Sequence, residues 1–526
     1  MINNPNDPNL TIPLSLRDDL VDTNDYVAIA HRFLGHGNRD WHTNYNEYDI
    51  SVGFDGQLTN NIDYKTSIST YNLDGSLIGN TFVHLEKIQR EITEGNYDLI
   101  NPDSPNNRAA IERTSLQEEI DFGQEYLGAR VALEGQTFTI GNRPASWIAG
   151  IDTSKIEVHS LLRFVDNEQE EYDVTEVLGS GGVSYQGERK TKGVFGDILL
   201  PITKDTDFRV AARGDHYDDL GGLSTYHLST EHRPSNVLKL RSSFGVGDRA
   251  PSMRSLHSTE SQDHPYVQCV PDFQSQSDPP RECTGGNPRQ VTREIKGNPK
   301  LKPSKAKRIA FGAGFDWQSF FLDVEWYRLE RKDLPGIRNA SWAILNLEQC
   351  GEGEQTNCIE NTAGGVITIY DSLANIVDTR ISGITTRYRR SYETDWGEIV
   401  LSGAWRHVTD ATRTVEGNTV RYATSENMIR SRFEAIRGNV TATWTVNYRE
   451  GFRNQSDTGH FDNWLGHDFY VDWKNPWGID KGRVTAGVFN LTNSSLSVDT
   501  ADPNSVDGPE AAGWGRTFFL TFNRNF

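Results

Sequence analysis

The sequence predicts an all-β fold: a large antiparallel transmembrane β-barrel. Three observations carry this reading. Long segments alternate apolar and polar side chains with a period of two. The connections between them alternate short and long. No apolar run approaches the ~18–20 residues that a membrane helix needs.

The alternation is clearest in the second half. In Phe320–Arg328, Phe320, Leu322, Val324 and Trp326 share one face, and Phe321, Asp323, Glu325 and Tyr327 share the other. Val440, Ala442, Trp444 and Val446 oppose Thr441, Thr443, Thr445 and Asn447. Ile399, Leu401, Gly403 and Trp405 oppose Val400, Ser402, Ala404 and Arg406. At the end, Phe518, Leu520, Phe522 and Phe526 oppose Phe519, Thr521, Asn523 and Asn525. A strand places successive side chains on opposite faces, so each segment reads as a two-faced strand. The segments run about nine to twelve residues. That exceeds the ~5–6 of an ordinary soluble strand and matches the ~9–11 that cross a bilayer at a tilt. Turning Asp323 and Glu325 toward lipid would cost on the order of a few kcal/mol, so their face is expected to line the interior. Trp326, Trp405, Tyr448 and Trp473 end the apolar faces, as interfacial aromatics do.

From about residue 224 the short connections are 233–236, 318–319, 394–397, 437–439 and 475–481. The long ones are 246–306, 329–379, 409–428, 450–466 and 491–514. Short turns on one side and long loops on the other are the pattern of outer-membrane barrels. This reading gives about ten strands there. Upstream candidates are Tyr48–Leu58, Ile62–Tyr71, Tyr126–Leu133, Trp147–Val158, Gly193–Ile202 and Phe208–Tyr217, with one or two more in 26–34 and 80–120. The total is roughly 16–18, and Asp74-Gly75 reads as a turn dipeptide.

The 526 residues carry a net charge of -20, with mean hydropathy -0.61. An acidic chain argues against a nucleic-acid partner, which needs basic surface. The acidity either suits cationic or metal-loaded ligands or only keeps loops solvated. Four cysteines, Cys269 with Cys283 and Cys350 with Cys358, form two close pairs in polar loops. They read as two local disulfides in an oxidising compartment; no CxxC spacing supports a metal site instead. The N-terminus lacks a basic region followed by an apolar one, so it is not a signal peptide.

No HExxH, P-loop or GxSxG occurs, and no enzyme or cofactor is expected. Gly179-Ser180-Gly181-Gly182 reads as a loop. Asp215, Asp218 and Asp219 miss the spacing of a calcium loop. His216, His257, His264, His460 and His467 fall near strand ends or in loops, and solvated histidine is the simpler reading than a metal ligand. Tyr266, Phe273, Trp342 and Phe461 are loop aromatics able to grip a ligand.

Four segments then resemble the TonB-dependent receptors, the ligand-gated transporters of Gram-negative outer membranes. Phe244-Gly245-Val246-Gly247-Asp248-Arg249-Ala250-Pro251-Ser252 resembles their "GxGFRAPS" segment, with Asp248 in place of the aromatic. Gly297-Asn298-Pro299-Lys300-Leu301-Lys302-Pro303 resembles "GNPxLKPE", with Ser304 in place of the acid. Gly487-Val488-Phe489-Asn490-Leu491-Thr492-Asn493 resembles "GVxNLFDK". Gly515-Arg516 through the terminal Phe526 resembles the closing strand. The motif residues Arg249, Pro251, Gly297, Asn298, Pro299, Pro303, Asn490, Gly515, Arg516 and Phe526 are read as structural; ligand-contacting residues are not identified.

The resemblance implies a cell outer-membrane location, lipid contact, a small transported solute, and partnership with a plug domain and the energy-coupling protein TonB. Segments for the last two are not found, and such barrels have roughly 22 strands, about five more than counted. The chain is therefore expected to be one barrel domain over 1–526, incomplete and truncated at its N-terminus. The implied function is active uptake of a scarce solute such as a ferric siderophore, a metal complex or an oligosaccharide. The alternatives are a plug-free diffusion porin and a soluble all-β binding protein.

Overall fold

The computed structural model describes residues 33–524 except 39, 100, 102–103, 180–181, 268–288, 352–356, 362–366, 455–457, 502–504, 508–512 and 514. Phe526, Cys269 and Cys283 lie outside the described residues, as do Phe273 and the side chain of Tyr266.

Seventeen long strands build one sheet. They are β1 (Trp41–Thr59), β2 (Ile62–Val83), β3 (Ser115–Ile140), β4 (Arg143–Val165), β5 (Tyr185–Thr203), β6 (Thr206–Tyr217), β7 (Gly221–Ser235), β8 (Leu238–Arg249), β9 (Ser304–Trp317), β10 (Phe320–Gly336), β11 (Ala374–Glu393), β12 (Glu398–Val415), β13 (Asn427–Arg437), β14 (Val440–Arg449), β15 (Trp464–Lys474), β16 (Gly482–Phe489) and β17 (Thr517–Arg524). Two short strands, Glu171–Tyr172 and Asn418–Arg421, complete the sheet to nineteen. Each long strand pairs antiparallel with the next along the chain, so the sheet is a continuous meander. This pairing satisfies the backbone between strands, the condition for crossing hydrocarbon.

The two faces separate as the alternation requires. Ile50, Val52, Phe54, Ile68, Leu127, Ile151 and Val194 are exposed on one face, as are Val324, Trp326, Trp405 and Trp444 downstream. On the other face Asp323, Thr443, Thr445 and Asp472 are buried. Side chains crowd on the concave side of a curved sheet and splay on the convex side, so the polar face is the lumen. Outward aromatics lie toward both ends of the apolar band: Tyr48, Trp326 and Trp405 on the side of the long loops, Trp317, Tyr392 and Trp477 on the side of the short turns.

Several expectations need correction. The ten connections counted after residue 224 bound eleven strands, β7 to β17, not ten. Asp74-Gly75 is not a turn; it lies inside β2, paired with Asn46-Tyr45 and with Gly123-Phe122. The dipeptide is a turn signal only where the chain must reverse, and here a side chain at Gly75 would come within 2.7 Å of the Phe122 ring. The window 80–120 holds two helices, α1 (Leu85–Thr93) and α2 (Arg108–Thr114), between the end of β2 and the start of β3. The strands also outrun the bilayer, with 22 residues in β2 and 26 in β3.

Among the described residues β1 pairs only with β2 and β17 only with β16, so the sheet has two open edges. With seventeen alternating strands, the first and last run in the same direction. Antiparallel closure therefore takes an odd number of further strands.

The two faces predict unequal tolerance. Ile151→Arg, outward in mid-band, should lower stability by about 2–4 kcal/mol in urea unfolding from lipid vesicles. Ser67→Arg, on the lumenal face, should change it by less than about 1 kcal/mol. Equal effects would contradict the assignment of faces.

Candidate functional site

Between β4 and β13 the lumenal wall carries two adjoining electrostatic sectors. From β4 to β10 it is a ladder of ion pairs. Arg213 on β6 donates to both carboxylate oxygens of Asp152 on β4 at 2.7 and 2.8 Å, and to Asp215. Arg209 reaches Asp197 on β5 at 2.8 Å. Arg241 on β8 donates to Asp323 on β10 at 2.7 Å and to Glu325 at 3.3 Å, and Arg308 on β9 donates to Glu325 at 2.7 Å. The bidentate geometry is the strong form of the guanidinium–carboxylate contact. Gly193 leaves the room for it: a side chain there would meet Arg213 and Asp152 within 2.5 Å.

The second sector, β11 to β13, is basic. Register aligns Arg387 with Ala404 and Ala404 with Arg430; one step on, it aligns Arg389 with Ser402 and Ser402 with Arg432. Arg406 lies diagonal to the first row, and its Nε is buried without a hydrogen-bond partner. Among the described residues Arg387, Arg389, Arg406 and Arg430 have no ion pair, while Arg432 has only Glu434 at 3.9 Å. Small residues at 402 and 404 keep the guanidinium groups open to the lumen.

Above the lumen the long loops fold into compact pieces. One joins α1, α2 and the 166–184 connection over a core of Val83, Ile88, Ile92, Tyr97 and Ala110. Lys87 donates to Tyr172 at 2.6 Å, and Tyr172 to Asp166 at 2.8 Å. Burial opposes ionisation of Asp166. The hydrogen bonds from Tyr172, Lys87 and the backbone of Glu170 and Glu168 outweigh it and hold the carboxyl down at about 2. Burial, with Asp166 and Glu170 beside it, pushes the Tyr172 hydroxyl up.

The other piece is a four-stranded sheet with α3 (Met253–His257) below it and α4 (Ala340–Asn346) packed on it. Its core is Val267, Val291, Ala343, Ile344, Ile359 and Ile369. Cys350 and Cys358 are bonded there, across a sequence separation of 8. Arg338 pairs with the fully buried Asp371, and Arg293 donates to the Arg338 carbonyl at 2.8 Å.

The motif residues shape the rim. Gly297 donates to the Ser258 carbonyl at 3.0 Å and Asn298 to that of Ser255 at 2.9 Å, joining the two motifs through α3. Pro299 and Pro303 flank the turn that enters β9. The Pro251 carbonyl accepts from Arg189 at 2.9 Å, and Arg249 pairs with Ser304. Asn490, left-handed at φ 50, donates its backbone N–H to Asp468, while the Asn493 side chain accepts from Arg516 beside Gly515. Of the loop aromatics, Trp342 packs on the core around α4, and Phe461 is buried against Phe452 at 4.9 Å. Asp215 and Asp219 pair with Arg213 and Arg189, so they do not form a shared calcium loop. The lumenal guanidinium groups went unread because Arg387, Arg406 and Arg430 lie far apart in sequence; only register unites them.

Two outcomes follow. Arg241→Ala removes both hydrogen bonds to Asp323, while Glu325 keeps Arg308, and should lower stability by about 1.5–3 kcal/mol in urea unfolding, with Arg241→Ala/Asp323→Ala recovering part of the loss. The Asp166 carboxyl lies below its unfolded value of about 3.9, so its stabilisation is complete above about pH 4 and fades as pH falls toward about 2. Asp166→Asn should speed proteolysis of the 84–114 loop at pH 7, and the difference from the parent should shrink as pH falls from about 4 toward about 2.

A family model described as TonB dependent receptor-like, beta-barrel, matches residues 3–491. Among solved structures, the chain is similar to the siderophore receptor PirA from Acinetobacter baumannii, with a TM-score of 0.53 and 13% identity over 91% of this chain and 71% of that one. It is similar to the ferric enterobactin receptor PfeA in complex with BCV-L6, at 0.53 and 11% over 91% and 70%. It is also similar to the ferric-catecholate import receptor Fiu from K12 E. coli in its closed form, at 0.57 and 12% over 97% and 67%. No curated protein sequence matches the chain. At these identities the structural likeness speaks for the fold; the family match covers most of the sequence. The chain belongs to the TonB-dependent receptor β-barrel family, whose members are receptors and transporters of the outer membrane.

Proposed function

We propose that this chain forms the barrel of a TonB-dependent receptor that imports a scarce anionic solute of the ferric-siderophore class. The observation that carries the reading is the open arginine sector of β11 to β13, beside a β4 to β10 sector where Arg209, Arg213, Arg241 and Arg308 are held in ion pairs. Guanidinium groups that outnumber the carboxylates beside them and are held in no close ion pair, in a confined site, favour an anion. An overall charge of -20 suggested cationic ligands, but the lumenal wall is not acidic throughout. The siderophore and ferric enterobactin receptors with the same fold support the substrate class.

Polar strand faces and folded loops supply a wet passage and a capture surface. The implied partners are outer-membrane lipid, a plug domain and TonB. Closure of the open edges by an odd number of further strands belongs to the same reading; five would reach the roughly 22 of plugged transporter barrels.

Uptake of radiolabelled iron by the host under iron limitation tests this. Deleting the gene should abolish uptake of at least one anionic ferric siderophore and leave uncharged iron chelates unaffected. Arg387→Glu/Arg430→Glu in the restored gene should lower the same uptake by about tenfold or more. Unchanged uptake in the deletion, or transport of a neutral oligosaccharide alone, would defeat the proposal.

A further inference from the structure

A second cluster of chemistry lies on the opposite side of the wall. Asp74 on β2, Asp121 on β3 and His159 on β4 each offer one ligand atom, and these atoms lie within 4.8 Å of one another. Register explains the convergence. Asp74 pairs with Gly123, and Gly123 pairs with His159; Asp121 is two residues from Gly123 on the same face. Gly123 has no side chain, so the imidazole lies across its Cα: a Cβ there would come within 2.4 Å of His159 Cε1. Three neighbouring strands thus deliver two carboxylates and an imidazole over a glycine floor.

Parity places the cluster outside the barrel. Asp74 shares the face of Ile68, Asp121 that of Leu127 and His159 that of Ile151, all exposed outward apolar residues, with no register shift between each pair. Its height is fixed too. Asp74 pairs with Asn46, two residues past the outward Tyr48 toward the long loops. At about 3.3 Å per residue the cluster stands just above the apolar band, level with the outer-leaflet headgroups.

Three neighbouring outward carboxylates are neutralised, while among the described residues Glu125 has no ion pair. Glu188 pairs with Lys190 at 2.7 Å and with Lys155 at 3.2 Å, Glu157 pairs with Lys155, and Glu119 pairs with Arg163. Among the described residues, no lysine or arginine lies within ion-pairing distance of Asp74 or Asp121, and His159 is the basic group between them. Two carboxylates held beside a nitrogen ligand, with no protein cation, present the donor set of a divalent metal. Mixed carboxylate and imidazole donors suit zinc and its first-row neighbours, bound at about 2.0–2.2 Å in a tetrahedron, so ligand atoms need to close to roughly 3.4 Å. Side-chain rotation on an exposed face supplies that. We propose that Asp74, Asp121 and His159 form a divalent transition-metal site on the outward face of the barrel at headgroup level, with its remaining coordination positions open toward the headgroup layer.

The test titrates the full chain in detergent micelles, stripped of metal with EDTA, with Zn²⁺ by calorimetry and with Co²⁺ by visible absorption. The expected result is one equivalent bound, with a Co²⁺ ligand-field band. His159→Ala and Asp121→Asn, each confirmed as folded by heat-modifiable migration, should each weaken binding more than about tenfold. Glu125→Gln, at a nearby outward carboxylate, should leave it unchanged. Two separate ligand variants keep the test decisive if one fails to fold. Equal binding by parent and both ligand variants, or no saturable binding by the parent, would overturn the site. Loss of solute uptake is not its readout, so it stands or falls apart from the transport reading.

Discussion

Hydrocarbon offers no partner to a backbone N–H or C=O, and that constraint organises the molecule. A strand in the bilayer is tolerated only when both neighbours complete its ladder, so each strand hands its register to the next. Once register is set, parity does the rest. One residue faces lipid and the next faces water, and a slip by one would exchange the two sets. The buried Asp323, Thr443 and Asp472 and the exposed Ile68, Ile151 and Trp444 are two readings of the same alternation.

Cross-strand alignment also builds the chemistry of the wall. Arg213 meets Asp152 across 61 positions of sequence, and Arg241 meets Asp323 across 82. Arg387 and Arg430 come into one row through Ala404. A barrel makes surfaces from residues far apart in the chain, and small residues between large ones decide which side chains can meet. Gly193, Ala404 and Gly123 serve this end on both faces. The loops follow different rules: they bury Ile88, Ile344 and Ile359 as small soluble domains do, helped by a disulfide and by Arg338 on Asp371.

The fold was legible because alternation is local. Nine residues around Val324 or Trp444 suffice to show it, and short turns such as 318–319 and 437–439 announced the reversals correctly. Strand length was less legible. Above the bilayer both faces of β2, β3 and β4 meet water, so the apolar stripe ends while the ladder continues. That is why Asp74-Gly75 read as a turn and helices α1 and α2 went unread. The arginine sector and the outward cluster were the least legible, since neither Arg387 with Arg430 nor Asp74 with His159 forms a motif in sequence; only pairing reveals them. The Cys350–Cys358 bond was legible from proximity alone.

The length of β2, β3 and β4 has a mechanical outcome. A strand of 26 residues is on the order of 85 Å long, between two and three times the ~9–11 residues that the membrane asks of it at a tilt. The surplus stands outside as a stiff, hydrogen-bonded palisade. Capture surfaces mounted on such a wall are held in place before any solute arrives, so less ordering entropy is lost on encounter than with slack loops. Selectivity can then rest on shape and charge fixed in advance, at a distance from the lipid where large hydrated molecules first meet the cell.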